Sequence, residues 1–534
     1  MTTSRWHVRW LLLALVIAVP FAGFLVTNHY PWFRIETVVA LALLLLTCAV
    51  LSAVARGRWF YVVTLVCGCA IAVVPVDRVL LPLGQLPVPA VAAGFLIFFG
   101  GLMFWMRERF WASLVTFVLA AFTAHCIVVY RSPAAFAYTG SRPVAGQKPS
   151  HFLYLILDEH IGPAGLPKSI PECQNAARMI VSTFGHDGFR LYPNAFSNYA
   201  TTLDSVPSIL NRTLLRSHNE FLRPGSPDPY GMYSLNATKF FSDFKSRGYA
   251  LEAIQCRGVN FASGSGARVL EYTGGMDEIA RSDMRWHEKF RVLVGAYQGS
   301  DVVLAGVKGF FPFFRFGTKT LWPMSVSHSW PTWLASEITS TEKPTLFFVH
   351  LLTPHGPYAY RPNGSMRSLN EWTADLSYGV SDDRTYRDRY VRYAQQIEYL
   401  HEQLGHLFSE LRKRGFLDRM TIVVHGDHGS RIRLRRDSVR PASGSRPVEP
   451  DRYDYISEAD PQDLVDRFSA LLAIKFPGER VPSVDGRSGS VVHFLTETVY
   501  GRNPADIGPG VDSVFLFGAH DLVTEIAWPA MKGN

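Results

Sequence analysis

The sequence predicts an N-terminal bundle of five transmembrane helices followed by an α/β domain with a mostly parallel central sheet. Three observations predict it. Long apolar runs crowd the first 130 residues, short apolar strand runs ending in ionisable residues follow residue 150, and helical periodicity fills the stretches between those strands.

The long apolar runs are Trp10–Val26, Ile35–Val54, Trp59–Val76, Val88–Met106 and Phe110–Val129. Each approaches the ~20 residues with which a helix crosses ~30 Å of hydrocarbon. A cleaved signal peptide would account for the first run alone; four more follow, and no small-residue cleavage site is evident. Arg5, Arg9, Arg56, Arg58, Arg107 and Arg109 fall on one side of these runs. The opposite connections carry Arg34, Arg78 and Arg131, mixed with Glu36 and Asp77. The positive-inside bias therefore puts the N-terminus in the cytoplasm, and five spans deliver the rest of the chain outside. The expected layout is a transmembrane part over residues 1–130, a Pro/Gly/Ser-rich linker over 131–150 and an extracytoplasmic domain over 151–534. Such a chain suits a bacterial inner membrane, multi-pass, with its large domain on the periplasmic side.

The formal charge of +8 over 534 residues is modest. Anionic lipid explains it better than a nucleic-acid partner does, and none is expected. Cys48, Cys67, Cys69 and Cys126 fall in the apolar runs, where a small apolar residue is the plain reading. Cys173 and Cys256 are the pair left in the exported domain, and an oxidising compartment would permit a disulfide between them.

In the exported domain, Phe152–Leu157, Leu346–His350 and Thr421–His425 read as buried strands. Between the last two runs, Val391, Ala394, Ile397, Leu400, Leu404, Leu407 and Leu411 recur at helical spacing, with Gly415 just beyond. Thr238–Ala253 is another helix–Gly–strand passage. Helices alternating with buried strands argue for a parallel sheet with helices on both faces.

Ligand sites in such folds collect at the carboxyl ends of strands. The strand runs here end in Asp158 and Glu159, in His350 followed by His355, and in His425, Asp427 and His428. Carboxylate and imidazole together suit Zn2+ or Mn2+. Ser197–Asn211 (SNYATTLDSVPSILN) supplies hydroxyls at Thr201, Thr202 and Ser205 ahead of an apolar run. Hydroxyls opening a helix ordinarily serve as N-caps, and the same position lets the helix N-terminus face an anion.

These residues resemble the alkaline phosphatase superfamily in its sulfatase-like branch, over roughly Phe152 to Gly478. Within that branch the chain is most similar to the membrane-bound phosphoethanolamine and phosphoglycerol transferases, which include the lipoteichoic acid synthases. The resemblance implies an α/β domain and a divalent ion, Zn2+ before Mn2+. It makes Asp427-His428-Gly429 a source of two metal ligands, with Glu159 the preferred acidic ligand and Asp158 a possible second. It implies that Thr202 is the nucleophile beside the ion, and that His350 and His355 contact the substrate phosphate or a second metal. The family's further histidine beyond Asp-His-Gly has no counterpart in RIRLRRDSVRPASGSR, so one ion is expected rather than two. Arg431 and Arg433, with Arg435 and Arg436, are candidate phosphate donors in its stead, or a solvated basic loop.

The activity the resemblance implies is metal-dependent transfer of a phospholipid headgroup, through Thr202 with His355 as acid or charge stabiliser, to an envelope glycan or glycolipid. A sulfatase or phosphodiesterase is the alternative, although Ser205-Val-Pro-Ser-Ile lacks the cysteine and arginine of the formylglycine motif. A non-catalytic membrane scaffold is the second alternative. Gly309–Gly317 (GFFPFFRFG), with Trp322, Trp330 and Trp333, fits either a lipid–water boundary or an aromatic core.

Overall fold

A computed structural model describes residues 18, 21–26, 30–54, 150–217, 220–224, 231–235, 238–256, 258–272, 276–299, 330–368, 371, 383–433, 461–517 and 523–528. The chain divides into two compact units, one of Met1–Ala134 with Gly275–Trp322 and one of Ala135–Gly274 with Pro323–Asn534.

The second unit is built on an eight-stranded sheet. Its strands are β1 (Phe152–Leu157), β2 (Phe189–Leu191), β3 (Ala250–Cys256), β4 (Arg268–Tyr272), β5 (Thr345–Leu351), β6 (Thr421–Gly426), β7 (Leu472–Lys475) and β8 (Ser483–Val484). Their spatial order is β8-β2-β7-β6-β1-β5-β3-β4. β7 runs antiparallel to β6 and β2, and the other pairings are parallel. The expectation of a mostly parallel α/β sheet holds.

The helices are α1 (Ile35–Val54), α2 (Pro171–Phe184), α3 (Thr202–Asn211), α4 (Lys239–Ser246), α5 (Met276–Arg281), α6 (Trp286–Gly299), α7 (Trp330–Ser340), α8 (Asp383–Lys413), α9 (Pro461–Phe468) and α10 (Val491–Thr498). All six residues of β1 are buried, because helices cover both faces of the sheet. Alternation sends Leu153, Leu155 and Leu157 to the face packed by α2, α7 and α8. Phe152, Tyr154 and Ile156 point to the face packed by α3, α4 and α10. Each fully buried side chain of this size contributes about 1.5–3 kcal/mol. Ile397, Leu400, Leu404, Leu407 and Leu411 of α8 are all buried in the first of these cores, as their spacing predicts.

Two alternatives left open by the sequence can be followed in the fold. Trp330 and Trp333 lie on the buried side of α7 and belong to the core, while residues 309–317 and Trp322 lie outside the described residues. Cys173 is a buried free thiol on α2 with Sγ 3.8 Å from the carbonyl of Tyr390. Its helix faces α8, which makes the small apolar side chain a packing residue.

In the first unit, α1 coincides with the second apolar run and packs against α6. The rings of Phe21 and Phe24 meet Tyr297 of α6 with centroids 5.1 and 5.4 Å away. Lys289 Nζ closes the end of α5 by donating to the carbonyls of Ala280 (3.0 Å) and Ser282 (2.7 Å). Ile35, Val38, Leu43, Leu46 and Val50 form an exposed apolar face on α1. Among the described residues, no helix is long and apolar enough to cross a membrane. Most of Trp10–Val26 and all of the last three runs lie outside the described residues.

Candidate metal centre

The site is set by register. In the parallel sheet Leu157 of β1 lies opposite Leu351 of β5 and Gly426 of β6. The chain therefore leaves β1 and β6 at one level, with Asp158 and Asp427 as the next residues. Asp158 N still donates to Leu351 O at 2.9 Å, so this carboxylate stays on the sheet end.

Asp427 is held by its own surroundings. Its Oδ1 accepts the backbone N–H groups of Glu159 and His428, each at 2.9 Å. Its Oδ2 is buried without a hydrogen-bond partner and lies 3.4 Å from His428 Nε2. Nδ1 of His428 faces the carbonyl of Gly429 at 2.9 Å. A carbonyl only accepts, so Nδ1 carries the proton and Nε2 presents its lone pair, the tautomer a metal requires. The glycines of this turn are demanded by close backbone approach. A Cβ on Gly429 would meet Asp466 O at 2.1 Å, and one on Gly426 would meet His160 O at 2.1 Å.

Thr202 is the first residue of α3, and Thr201 occupies the N-cap position. The N-cap reading of Thr202 therefore fails. Its hydroxyl instead lies 3.3 Å from His428 Nε2 and 3.5 Å from Asp158 Oδ1.

Asp158, Asp427 and His428 each offer a ligand atom, all within 4.8 Å of one another, and all three residues are buried. Among the described residues it is the one group of this kind. Glu159, the preferred ligand in the sequence, is not in it. The residue sits in the left-handed region at φ 60°. Oε1 accepts from Arg431 Nε at 2.9 Å and lies 3.5 Å from His355 Nε2. His350 Nε2 lies 3.5 Å from Asp158 Oδ2, with its ring edge-on to Phe261. His425 is one residue row below the site, its Nε2 3.0 Å from Tyr154 Oη, a satisfied core histidine. The arginines part company. Arg431 is committed to Glu159, and Arg433 reaches away to Asp463 (2.8 Å) and Gln462 (3.0 Å) on α9, so its expected role at the phosphate is not supported by its position. Arg435 and Arg436 lie outside the described residues.

The electrostatics suit a cation. Burial by itself would lift Asp158, but contact with His350 and the neighbouring histidines outweigh it and hold the carboxyl well below the usual range. Burial, then the Asp158 charge, pushes Asp427 upward. Burial opposes ionisation of Glu159 too, and His355 and Arg431 overcome it. His355 is raised on balance: burial lowers it, and the Glu159 and Asp158 carboxylates more than compensate. Two buried carboxylates this close repel unless a proton or a metal lies between them. The unpartnered Asp427 Oδ2 and the open Nε2 of His428 fit a divalent ion, and the oxygen–nitrogen donor set fits Zn2+.

Asp466 gave no local signal in the sequence. Its fully buried carboxylate accepts Ser430 Oγ and, at 2.9 Å, the backbone N–H of Arg433, tying down the loop after His428. Tyr390 and Tyr393 of α8 escaped notice as well. Tyrosines beside an apolar helical stripe could have flagged a buried hydroxyl in need of a partner.

Fold and site together define an α/β protein with a carboxylate–imidazole centre beside a hydroxyl at its strand ends. The Sulfatase family model matches residues 187–446, so the chain carries a sulfatase-like domain and the resemblance to that branch holds. No curated protein matches the chain. Among solved structures it is similar to the C-terminal periplasmic domain of EcEptC from Escherichia coli in complex with Zn, at 10% identity and TM-score 0.42, covering 75% of this chain and 98% of that one. It is also similar to the phosphonate monoester hydrolase of Agrobacterium radiobacter, at 12% identity and TM-score 0.39, covering 70% and 80%. A Vibrio parahaemolyticus protein of the alkaline phosphatase superfamily is similar at 13% identity and TM-score 0.36, covering 72% and 77%.

Proposed function

We propose that the chain transfers a phospholipid headgroup, phosphoethanolamine or phosphoglycerol, to an envelope glycan or glycolipid through a covalent intermediate on Thr202. The observation that carries this reading is the Thr202 hydroxyl, 3.3 Å from His428 Nε2 and 3.5 Å from Asp158 Oδ1, inside the ligand group. A divalent ion held by Asp158, Asp427 and His428, Zn2+ before Mn2+, would supply Lewis acidity to that hydroxyl and to the phosphoryl oxygens.

The residues divide the remaining work. Thr202 gives up its proton to water and its Oγ1 attacks the phosphorus of the donor phosphodiester. The bond to the diacylglycerol oxygen breaks, and His355, its protonated form favoured by Glu159, gives that oxygen a proton. The headgroup is then a phosphodiester of Thr202. An acceptor hydroxyl attacks the same phosphorus, returns a proton to His355 and releases Thr202, which regains its own proton from water. Glu159, with Arg431 behind it, orients His355.

A lipid donor is supported by the five apolar runs and by the exposed Ile35, Val38, Leu43, Leu46 and Val50 of α1, since a helix facing water would carry polar residues there. The site would then work at the outer face of a bacterial inner membrane. The designation of the matching family model favours a second reading, a sulfatase or phosphodiesterase with water as acceptor.

The test is mass spectrometry of the purified chain after incubation with mixed phospholipids. A headgroup phosphate adduct on the Thr202 peptide, absent with a chelator, is the expected result. Formylglycine or an adduct at Ser205, or release of free headgroup with no acceptor ever modified, would overturn the transferase reading.

A further inference from the structure

We infer that α8 holds the ligand group in shape through two tyrosine hydroxyls, Tyr390 and Tyr393, one helical turn apart, each acting as a positioning residue on a different ligand-bearing loop. The inference rests on reading Asp158, Asp427 and His428 as metal ligands.

The first hydroxyl braces the acidic turn. Tyr393 Oη donates to the carbonyl of Glu159 at 2.5 Å and accepts from the N–H of Ile161 at 3.0 Å. Glu159 between them holds the left-handed conformation at φ 60°, which L side chains rarely adopt unless their surroundings impose it. Across this turn Asp158 belongs to the ligand group, while Glu159 meets Arg431 and His355.

The second hydroxyl braces the loop after His428. Tyr390 Oη donates at 2.5 Å to Asp466 Oδ1, the oxygen that also takes the Ser430 hydroxyl, while Oδ2 takes the N–H of Arg433. Gly429 N donates to Arg467 O at 2.8 Å in the same arrangement. The loop is therefore fastened on both sides directly behind His428.

Packing does not account for these hydroxyls. Tyr390 and Tyr393 are 3% and 0% exposed and lie in the same core as Ile397, Leu400, Leu404, Leu407 and Leu411 farther along the helix. A phenylalanine would fill the same space. Tyr386, one turn earlier, is a built-in comparison, because its buried hydroxyl has no hydrogen-bond partner.

The test uses the full-length metal-free chain titrated with Zn2+ against a chromophoric chelator, with Co2+ absorption as a readout of ligand geometry. Tyr393→Phe and Tyr390→Phe are each expected to weaken Zn2+ binding about 10-fold, the loss typical when a residue behind a ligand is removed, and to shift the Co2+ spectrum. Tyr386→Phe is expected to change neither. Wild-type affinity and spectrum in both Tyr390→Phe and Tyr393→Phe would overturn the brace and leave the metal centre standing. A wild-type chain that takes up no Zn2+ sinks both. Should Tyr393→Phe fail to fold, Tyr390→Phe decides the question, since Asp466 keeps its Ser430 and Arg433 partners there.

Discussion

The hydroxyl of Thr202 and the Nε2 of His428 face each other at 3.3 Å, at the meeting point of a helix N-terminus and a strand end. His428 cannot turn away, because its Nδ1 is held on the carbonyl of Gly429. The hydroxyl and the imidazole are thus oriented by separate elements and are brought together from positions far apart in the sequence.

Thr202→Ala is expected to abolish the covalent adduct and lower turnover by on the order of 10^4-fold, while Zn2+ binding persists through Asp158, Asp427 and His428. Thr202→Ser is expected to keep measurable transfer. Isothermal titration with Zn2+ alongside a headgroup-release assay separates the two effects. Near wild-type turnover in Thr202→Ala removes Thr202 from the chemistry.

The two arginines that look alike in sequence are expected to differ sharply. Arg431→Ala strands a buried Glu159 carboxylate and is expected to cost about 3–5 kcal/mol of stability. Arg433→Ala breaks a partly exposed pair with Asp463 and is expected to cost at most about 1 kcal/mol. Urea unfolding midpoints compare them directly, and equal losses would contradict the structure.

Gly429→Ala and Gly426→Ala force a Cβ against backbone carbonyls at 2.1 Å, and each is expected to destabilise by about 1–3 kcal/mol or more. Gly486→Ala meets nothing within 4 Å and is the control. Thermal melts of the three variants give the answer, the control remaining near wild type.

Acid is expected to destabilise the fold through histidines outside the site. Burial lowers His151, His160 and His425 from 6.5 to about 4, with backbone contacts partly opposing it at His160 and His425. The folded chain keeps them neutral while the unfolded chain takes up protons. Stability therefore falls as pH drops from about 6.5 toward 4, by up to about 1.4 kcal/mol per pH unit for each group. Urea midpoints at pH 7 and pH 5 measure the drop, and its absence would mean that these rings are hydrated.

Much of the site could be read in advance because each half is local. The run of apolar residues into Asp158, and the one into Asp427-His428-Gly429, mark strand ends without knowledge of their neighbours. The choice between Asp158 and Glu159 could not be read that way. It depends on a turn hydrogen-bonded by Tyr393, from a helix more than 200 residues further on, and on Arg431, which a local reading left between a phosphate donor and a solvated loop. The tryptophans show the same limit: Trp330 and Trp333 have the composition of a lipid boundary, and only the packing of α7 reveals them as core.

The sequence by itself determined the α/β class of the second unit and the strand ends that carry ionisable groups, because periodicity and strand termini are properties of short segments, while the choice of Thr202 as candidate nucleophile rested on the family resemblance. Tertiary structure alone decided which carboxylate joins His428, which arginine is spent on Glu159 and whether Cys173 is bonded. Those outcomes are set by contacts between residues far apart in the chain, where burial makes an unpaired charge too costly to leave to chance.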